Sequence, residues 1–470
     1  MEINTNDNIQ PIIYILGPTG VGKTYLSLKL SKHINCEIIN TDAFSLYKDA
    51  NIMTAKATPS EIQTIPHKMI NIINLFDINY NITSFEKDAS NEINTILSSN
   101  KTPLIVGGTN YYVERLLFNK TTELPITQQE INTSEIPNDF MLKINLLKNE
   151  IQDKDELYTH IEQYLTNEYS VNNSEHLYKI LEIIDKEYAN FYHKKDIRRI
   201  INAISFYYTY GYKKSSKDIN TKKTLKYLNQ IKLIFLNPCN QDNENDINSL
   251  IEKIKQRVKE LLDNGLSEII FIFHKFNKNN IEISFTKGIL QAIGYKEFYP
   301  LYQVLPAEIK DYIYNEYKYD NSSLLSSKIF DVVIKENLLN IYEECKEELI
   351  TNTINYAKYQ LKLIKKKILS FISNYLQVNV TQLTKEVFNE IYIPQCVKYI
   401  NDKDKFVTII NEDLLSNNIK IWNKYYCDIC KVELNGEVEY QSHMKSNKHK
   451  KRKNGLNKHN KHKNNIINKK

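Results

Sequence analysis

The sequence predicts an α/β fold with a parallel central sheet, a helical insertion, a helical C-terminal region and a small ββα module. Three observations lead to this prediction. Apolar, β-branched runs alternate with helical patterns over residues 1–118, a Gln/Asn/Glu-rich segment then interrupts them, and paired cysteines and histidines follow within residues 421–453. Strands that are separated by helices imply a parallel sheet with right-handed crossovers.

The first strand, Pro11 to Leu16, leads into the octet GPTGVGKT and then into a helix with apolar residues at helical spacing. This combination is the pattern of a phosphate loop, which predicts a P-loop NTPase-like core. Backbone N–H groups and the helix N-terminus attract an anion, Lys23 reaches its outer phosphate, and the Thr24 hydroxyl can bind Mg²⁺. The octet does not reveal whether the phosphate belongs to ATP. The predicted phosphate-binding residues are Gly17, Pro18, Thr19, Gly20, Val21, Gly22, Lys23 and Thr24.

Two further strands, Glu37 to Asn40 and Pro103 to Gly108, are each followed by a polar residue, Asp42 and Thr109. Ligands of parallel sheets bind at the carboxyl ends of the strands. Asp42 could bind Mg²⁺, accept a proton or hydrogen-bond an amino group, or it could simply cap the next helix. Thr109 could donate a hydrogen bond to a diphosphate or act as a cap. Gly-Gly-Thr stands where a nucleotide hydrolase usually has an acidic residue for Mg²⁺, which disfavours an ATPase.

The rest of the chain is mostly helical in pattern, with one further buried strand at Ile231 to Leu236. An amphipathic helix at Ser249 to Leu266 is expected to stop at Gly265. A basic amphipathic helix at Leu349 to Leu369 presents either a solvated face or an RNA-facing surface. The predicted domains are a core of residues 1–118 and 196–300, an insertion of 119–195, a helical region of 301–420, the ββα module of 421–453 and a basic, disordered tail of 454–470.

Composition and charge exclude several classes of protein. Hydrophobic residues make up 41% and charged residues 25% of the 470 residues, which is ordinary for a globular protein. No apolar stretch reaches the roughly 20 residues of a membrane helix, and the start resembles neither a signal peptide nor a transit peptide. Four cysteines stand singly, as buried thiols do in a reducing compartment. We therefore expect a cytoplasmic protein without membrane contact, although a basic tail also permits the nucleus, and a mitochondrial or plastid location is less supported. We also expect a monomer, because one chain supplies every part.

The spacing Cys427-x2-Cys430-x12-His443-x5-His449 is that of a C2H2 zinc finger. Two thiolates and two imidazoles close a tetrahedral Zn²⁺ site, so the predicted zinc is structural. Residues 448–470 hold ten Lys and Arg residues and no acidic residue. Finger and tail together can neutralise phosphates, and RNA, DNA and a nuclear import receptor are all compatible partners.

Taken together, these segments resemble the tRNA dimethylallyltransferase family, also called tRNA isopentenyltransferases, in its eukaryotic form with a C-terminal C2H2 finger. The resemblance covers residues 11–367 and rests on an ordered set of motifs rather than on any one of them. The matching segments are GPTGVGKT (17–24), NTDAFSLY (40–47), IMTAKA (52–57), IPHK (65–68), VGGTNYY (106–112), DIRRIINA (196–203), QRVKELLDNGL (256–266), QAIGYKE (291–297) and YAKYQ (356–360).

The resemblance implies transfer of a dimethylallyl group from dimethylallyl diphosphate to N6 of the adenosine on the 3′ side of the tRNA anticodon. Asp42 would hydrogen-bond the N6 amino group and take its proton. Lys23, Thr24 and Thr109 would stabilise the leaving diphosphate together with Mg²⁺, and Lys253 and Arg257 would complete the diphosphate site.

The same resemblance implies contacts with the tRNA anticodon stem-loop, from which the adenine must leave the stack. The residues expected to contact tRNA are Asp42, Ala43, Phe44, Ser45 and Thr109, the helix residues Arg199, Ile200, Ile201, Asn202 and Ala203, and Lys358 and Gln360.

The chain departs from the family pattern at several positions. Ala43 replaces a serine, Met53 a glycine, Lys68 a histidine and Lys253 an arginine, and a lysine loses the bidentate grip of an arginine on a diphosphate. Ala57 and Asn202 stand where the family has proline and, often, arginine. Two alternatives remain open at this point: a small-molecule or nucleotide kinase, and a non-catalytic RNA-binding homologue.

Overall fold

The computed structural model describes residues 10–122, 131, 134–169, 174–219, 221–239, 247–380, 382, 384–410 and 424–453. The chain divides into two compact units, each made of two segments. Unit 1 consists of Met1–Asn119 and Thr224–Asn411, and unit 2 of Lys120–Lys223 and Glu412–Lys470. The predicted basic tail, 454–470, lies outside the described residues.

Strands and helices are numbered separately, in chain order. The strands are β1 Ile12–Leu16, β2 Cys36–Asn40, β3 His67–Lys68, β4 Thr102–Val106, β5 Phe118–Thr122, β6 Thr221–Leu225, β7 Ile231–Asn237, β8 Ile372–Ser373, β9 Leu376–Asn379, β10 Thr408–Ile409, β11 Lys424–Cys427 and β12 Val432–Asn435. The helices are α1 Lys23–Leu30, α2 Pro59–Thr64, α3 Ile82–Ser98, α4 Asn110–Leu117, α5 Asn138–Glu150, α6 Lys154–Glu168, α7 Ser174–Ile184, α8 Lys186–Phe191, α9 Ile197–Tyr210, α10 Lys214–Ile219, α11 Asn248–Lys278, α12 Tyr295–Val304, α13 Ala307–Glu316, α14 Ser322–Lys335, α15 Leu339–Lys367, α16 Lys385–Val387, α17 Ile393–Asn401 and α18 Glu437–Lys445.

Unit 1 is built around a six-stranded parallel sheet in the order β3-β2-β4-β1-β7-β9. Every residue of β1, β4 and β7 is buried, as expected for strands that helices cover on both faces. The predicted α/β class with a parallel sheet is therefore confirmed. Because β1 lies between β4 and β7, the turns that follow β1 and β4 meet at one edge of the sheet.

The sixth strand, β9, comes from a region that the sequence predicts to be helical. It pairs in parallel with β7, so that Ile234 lies opposite Leu376. The strand is only four residues long, and Val378 is its one buried side chain. A segment this short carries too little alternation to reveal a strand, and its pairing with β7 decides its structure.

The expected stop of the amphipathic helix at Gly265 is wrong, because α11 continues to Lys278. The residues beyond the glycine are apolar and buried, including Ile269, Ile270 and Phe273, so packing extends the helix. A Cβ atom at Gly265 would lie only 2.8 Å from the sulfur of Met53. This glycine therefore permits a close approach between two segments instead of ending the helix.

Unit 2 contains the helices α5–α10 and the C-terminal finger. Apolar side chains of α5, α6, α7 and α9 form a core of their own, which includes Phe140, Ile161, Leu177 and Ile204. The finger consists of the antiparallel β11–β12 hairpin followed by α18.

In the described part of the chain, every helix is too short or too polar to span a membrane.

Candidate active site

A cavity of about 730 Å³ lies in unit 1 where β1, β2 and β4 end. The phosphate loop, the segment around Asp42 and the pair Gly107–Gly108 line one part of it. Helices α11 and α15 add further polar side chains, among them Arg257 and Gln360. The cavity therefore collects residues that are up to about 340 positions apart in the chain.

The phosphate loop places Lys23 inside this cavity. Its ammonium group donates hydrogen bonds of 2.8 Å to the carbonyl oxygens of Gly17 and Pro18. Gly22 precedes α1 with φ of 98°, a left-handed conformation that glycine adopts without strain. Burial and, to a smaller extent, the charge of Arg257 lower the pKa of Lys23 to about 7, while Asp42 opposes both. An anion at the loop would favour the charged form of this lysine.

Asp42 uses its two carboxylate oxygens differently. Oδ1 accepts a hydrogen bond from the backbone N–H of Phe44 at 3.1 Å, whereas the N-cap of the short helical turn that follows is Ala43, not Asp42. Oδ2 lies over Gly108, since a Cβ atom built there would be 2.9 Å from it. Burial raises the pKa of Asp42, while the Phe44 N–H and the charges of Lys23 and Arg257 lower it. Because desolvation outweighs these opposing effects and the pKa is raised overall, this carboxylate is suited to accept a proton.

Thr109 stands at the N-terminus of α4, but its side chain does not cap that helix. Its hydroxyl oxygen instead accepts a hydrogen bond of 3.0 Å from the backbone N–H of Ala43. The backbone N–H of Thr109 donates to the carbonyl oxygen of Thr41 at 3.0 Å. Thr109 therefore joins the turn after β4 to the turn that carries Asp42.

Gln360 connects the phosphate loop to the turn after β4. Its Oε1 accepts a hydrogen bond of 2.7 Å from the Thr19 N–H, and its Nε2 donates to the Gly108 oxygen at 2.8 Å. The residue is only 1% exposed, so its amide is committed to contacts within the chain. Tyr356, one turn earlier on α15, donates to the same Gly108 oxygen at 3.4 Å. Lys358 of this helix is exposed.

Helix α11 supplies the cationic wall of the cavity. Lys253 and Arg257, four residues apart, both line it, and Arg257 acts electrostatically on Lys23 and Asp42. Phe44 and Ser45 line the cavity as well. The structure thus brings Lys253 and Arg257 to the same cavity as the phosphate loop. Their binding of a diphosphate stays a prediction.

Lys56 is a cavity residue that sequence reasoning missed. Its ammonium group donates to the Tyr47 carbonyl oxygen, to Asn51 Oδ1 at 3.1 Å and to Asn71 Oδ1 at 2.6 Å. Burial lowers the pKa of Lys56 to about 8. The sequence signal for this residue was a lysine among the apolar and small residues of IMTAKA. The sequence could not show its hydrogen-bond acceptors, because they lie in separate turns.

Glu268, on α11, was missed as well. Its carboxylate is completely buried and accepts hydrogen bonds from three consecutive backbone N–H groups, those of Asn51 at 2.8 Å, Ile52 at 2.7 Å and Met53 at 3.0 Å. Glu268 thereby fixes the backbone of a segment whose residues Met53, Thr54 and Lys56 line the cavity. The signal in the sequence was one acidic residue in the apolar run of α11, but nothing local indicated its partners.

The predicted contacts on α9 belong to unit 2. Arg199 is exposed and forms an ion pair with Asp196. Asn202 donates a hydrogen bond to the hydroxyl of Tyr158. The side chains of the other three predicted residues are buried in the core of this unit; they are Ile200, Ile201 and Ala203. Their part in tRNA binding stays a prediction.

The finger brings the four predicted zinc ligands together, with all ligand atoms within 4.8 Å of one another. The Nδ1 atom of His449 lies 3.5 Å from Cys427 Sγ, 3.6 Å from Cys430 Sγ and 3.2 Å from His443 Nε2. Ligand atoms at about 2.0–2.3 Å from a tetrahedral zinc are spaced in this way. The residues therefore fit a structural zinc ion without an open position.

We expect the protein to retain about one zinc ion per chain after dialysis. Cys430→Ser removes a soft thiolate ligand and should release most of this zinc at neutral pH. Elemental analysis measures the effect, and Cys396→Ser, at a buried lone cysteine of unit 1, is the matched control that should keep the zinc. Zinc retained by the Cys430 variant would show that the metal sits elsewhere.

Fold and site together define a phosphate-loop α/β protein with a C-terminal C2H2 finger. Residues 45–367 match the family model described as IPP transferase, and residues 425–449 match a zinc finger of C2H2 type. The protein belongs to the IPP transferase family.

Curated relatives extend this result over nearly the whole chain. The tRNA dimethylallyltransferase of Saccharomyces cerevisiae is 26% identical over 460 residues, which cover 93% of this chain and 91% of the relative. That of Homo sapiens is 26% identical and covers 93% of this chain and 85% of its own. A solved structure of a eukaryotic dimethylallyltransferase acting on tRNA matches with a TM-score of 0.65 at 24% identity, covering 97% and 99% of the two chains. This structural match supports the fold.

Proposed function

We propose that this protein transfers a dimethylallyl group from dimethylallyl diphosphate to N6 of the adenosine adjacent to the anticodon on its 3′ side in tRNA, which gives N6-isopentenyladenosine. The observation that carries the proposal is the cavity in which the Asp42 carboxylate faces the phosphate loop, Lys23 and Arg257. Membership of the IPP transferase family and relatives named tRNA dimethylallyltransferase support it.

The phosphate loop and α11 would bind the diphosphate of the donor. Backbone N–H groups of the loop, the Lys23 ammonium and the Arg257 guanidinium supply donors and positive charge, and Lys253 adds a second cation from α11. These groups stabilise the charge that develops on the diphosphate as it leaves. Thr109, in the turn after β4, would donate a hydrogen bond from its hydroxyl group to the leaving diphosphate.

Asp42 would receive the proton of the acceptor amine. In the reaction the C1–O bond of the donor breaks, the electron pair leaves with the diphosphate, and a bond forms between C1 and N6 of the adenine. The N6 proton then passes to an oxygen of the Asp42 carboxylate and from there to water. The raised pKa of Asp42 favours this acceptance, because a base works best when its pKa is near the working pH.

Mg²⁺ would bind beside Thr24, whose exposed side chain lines the cavity. In the described part of the chain, the finger holds the one group of three or more potential metal-ligating His, Cys, Asp and Glu side chains. Most ligands of a Mg²⁺ ion would therefore be diphosphate oxygens and water, as is common for this ion. When bound, the ion neutralises charge on the diphosphate.

The tRNA would be recognised through its anticodon stem-loop. In unit 1 the candidates are Phe44 and Ser45 at the cavity and Lys358 on the exposed side of α15. In unit 2 the candidates are the predicted residues of α9, among them Arg199, and the finger together with the basic segment that follows it. Aromatic and cationic groups suit an unstacked base and the phosphate backbone.

We further propose that the protein is cytoplasmic and that it is a monomer.

The direct test incubates the protein with labelled dimethylallyl diphosphate, Mg²⁺ and a tRNA that has adenosine on the 3′ side of the anticodon. We expect label in the RNA, at N6 of that adenosine. The same tRNA with guanosine at this position is the control and should stay unlabelled. Absence of label in the RNA, or ATP consumption without prenyl transfer, would contradict the proposal and favour a kinase or a non-catalytic RNA-binding protein.

The affinity for diphosphate should weaken as the pH rises above about 7, because burial lowers the pKa of Lys23 to about 7. Below this pH the amine is already charged, whereas above it the free site must take up a proton to bind the anion, at a cost of up to about tenfold in affinity per pH unit. Calorimetric titration with inorganic diphosphate and Mg²⁺ measures the slope.

Lys23→Arg is the control for this pH dependence, because arginine stays charged and removes the contribution of Lys23. The titration of diphosphate itself is common to both proteins, so the difference between their slopes reports on the lysine. Equal slopes would contradict the assignment of the lowered pKa to Lys23.

A further inference from the structure

Met53 contributes an apolar side chain to the lining of the cavity, and this side chain is 6% exposed. Its sulfur would lie 2.8 Å from a Cβ atom at Gly265, and its terminal methyl carbon 2.4 Å from one at Gly294. The side chain therefore occupies a space that exists because α11 has glycine at position 265 and the turn before α12 has glycine at position 294. A shorter residue at 53 would leave that space open to the cavity.

Helix α11 relates the position of Met53 to the cationic residues of the cavity. Arg257 and Gly265 are eight residues apart on one continuous helix, which corresponds to about 12 Å. Between them, Val258 and Leu261 line the cavity with apolar side chains, and Glu260 lines it as well. Helix α11 therefore carries both the proposed diphosphate-binding Arg257 and the glycine against which Met53 packs, about two turns later.

The backbone around Met53 is held in place by hydrogen bonds to Glu268. The Glu268 carboxylate binds the backbone N–H groups of residues 51–53, Met53 among them, at 3.0 Å or less. Ala55, two residues later, has φ of 50°, a left-handed conformation that a non-glycine residue adopts only when its surroundings enforce it. The backbone of Met53 therefore has little freedom to retreat from a longer ligand.

We propose that Met53 limits the length of the prenyl group that this protein transfers, so that a five-carbon donor fits and a ten-carbon donor does not. The inference rests on the proposed function. A geranyl group extends the chain by four in-line carbons, about 5 Å at carbon–carbon bonds of about 1.5 Å. Its transfer would be the same step, in which the C1–O bond breaks, the C1–N6 bond forms, diphosphate leaves with the electron pair and the N6 proton passes to Asp42.

The test compares dimethylallyl diphosphate with geranyl diphosphate as donors to the same tRNA, in the full chain and in Met53→Ala. We expect the ratio of kcat/KM for geranyl over dimethylallyl diphosphate to rise at least about tenfold in Met53→Ala, since one or a few methylene groups in an apolar pocket discriminate by this amount. Should Met53→Ala fail to fold, Met53→Val removes less volume and carries the same test.

Ile52→Ala is the matched control. Ile52 also contacts the Gly265 position, at 3.0 Å from a built Cβ, but its side chain does not line the cavity. Its removal should therefore leave the donor ratio unchanged. An unchanged ratio in a folded Met53 variant, or an equal rise in Ile52→Ala, would overturn the inference while dimethylallyl transfer by the wild-type chain upholds the proposed function. A wild-type chain that transfers neither group would instead refute the proposed function.

Discussion

Asp42→Asn is expected to lower kcat for prenyl transfer by a factor of about 10² to 10⁴, the range that one general base contributes. The amide keeps the shape of the carboxylate and can still accept the Phe44 N–H, so the turn after β2 stays intact. It cannot accept the N6 proton. Steady-state kinetics should show the loss in kcat with little change in tRNA affinity.

The pH profile provides a second readout for Asp42. Because burial raises the pKa of Asp42, activity in the wild-type chain should rise with pH as this carboxyl ionises, and this limb should vanish in Asp42→Asn. Asp49→Asn is the control, since Asp49 pairs with Lys275 and does not line the cavity. Wild-type kcat in Asp42→Asn would contradict the assignment of the base.

Glu268→Ala is expected to reduce the free energy of unfolding by at least about 3 kcal/mol. The substitution leaves the buried N–H group of Met53 and the partly buried N–H groups of Asn51 and Ile52 without their acceptor, and each buried donor left unsatisfied costs about 1–3 kcal/mol. Glu268→Gln retains an acceptor oxygen and should lose less. Urea unfolding of the full chain, followed through the transition of unit 1, measures both variants.

The control for Glu268 lies on the same helix. Glu252→Ala removes an exposed carboxylate that pairs with Lys255, and such surface pairs contribute little, so the unfolding midpoint should hardly move. A similarly small change in Glu268→Ala would mean that the segment around Met53 is held by other contacts.

The phosphate loop and the finger could be recognised in the sequence because their geometry is local. In the octet, consecutive N–H groups and the start of α1 create the anion site, so the residues that matter are adjacent in the chain. The zinc ligands sit on one hairpin and one helix, whose short connections fix the distances between them. Asp42 and Thr109 follow strands that could be read from their apolar runs, although their roles had alternatives.

The tertiary structure alone decided which distant residues complete the site. Gln360 and Thr19 are 341 positions apart, and Glu268 and Met53 are 215 apart, yet each pair shares a hydrogen bond. The continuation of α11 past Gly265 and the strand β9 were decided in the same way, by packing and pairing with segments far along the chain. Local patterns report the conformation of neighbouring residues, whereas the acceptor of a buried N–H or the occupant of the space beside a glycine depends on how remote segments meet.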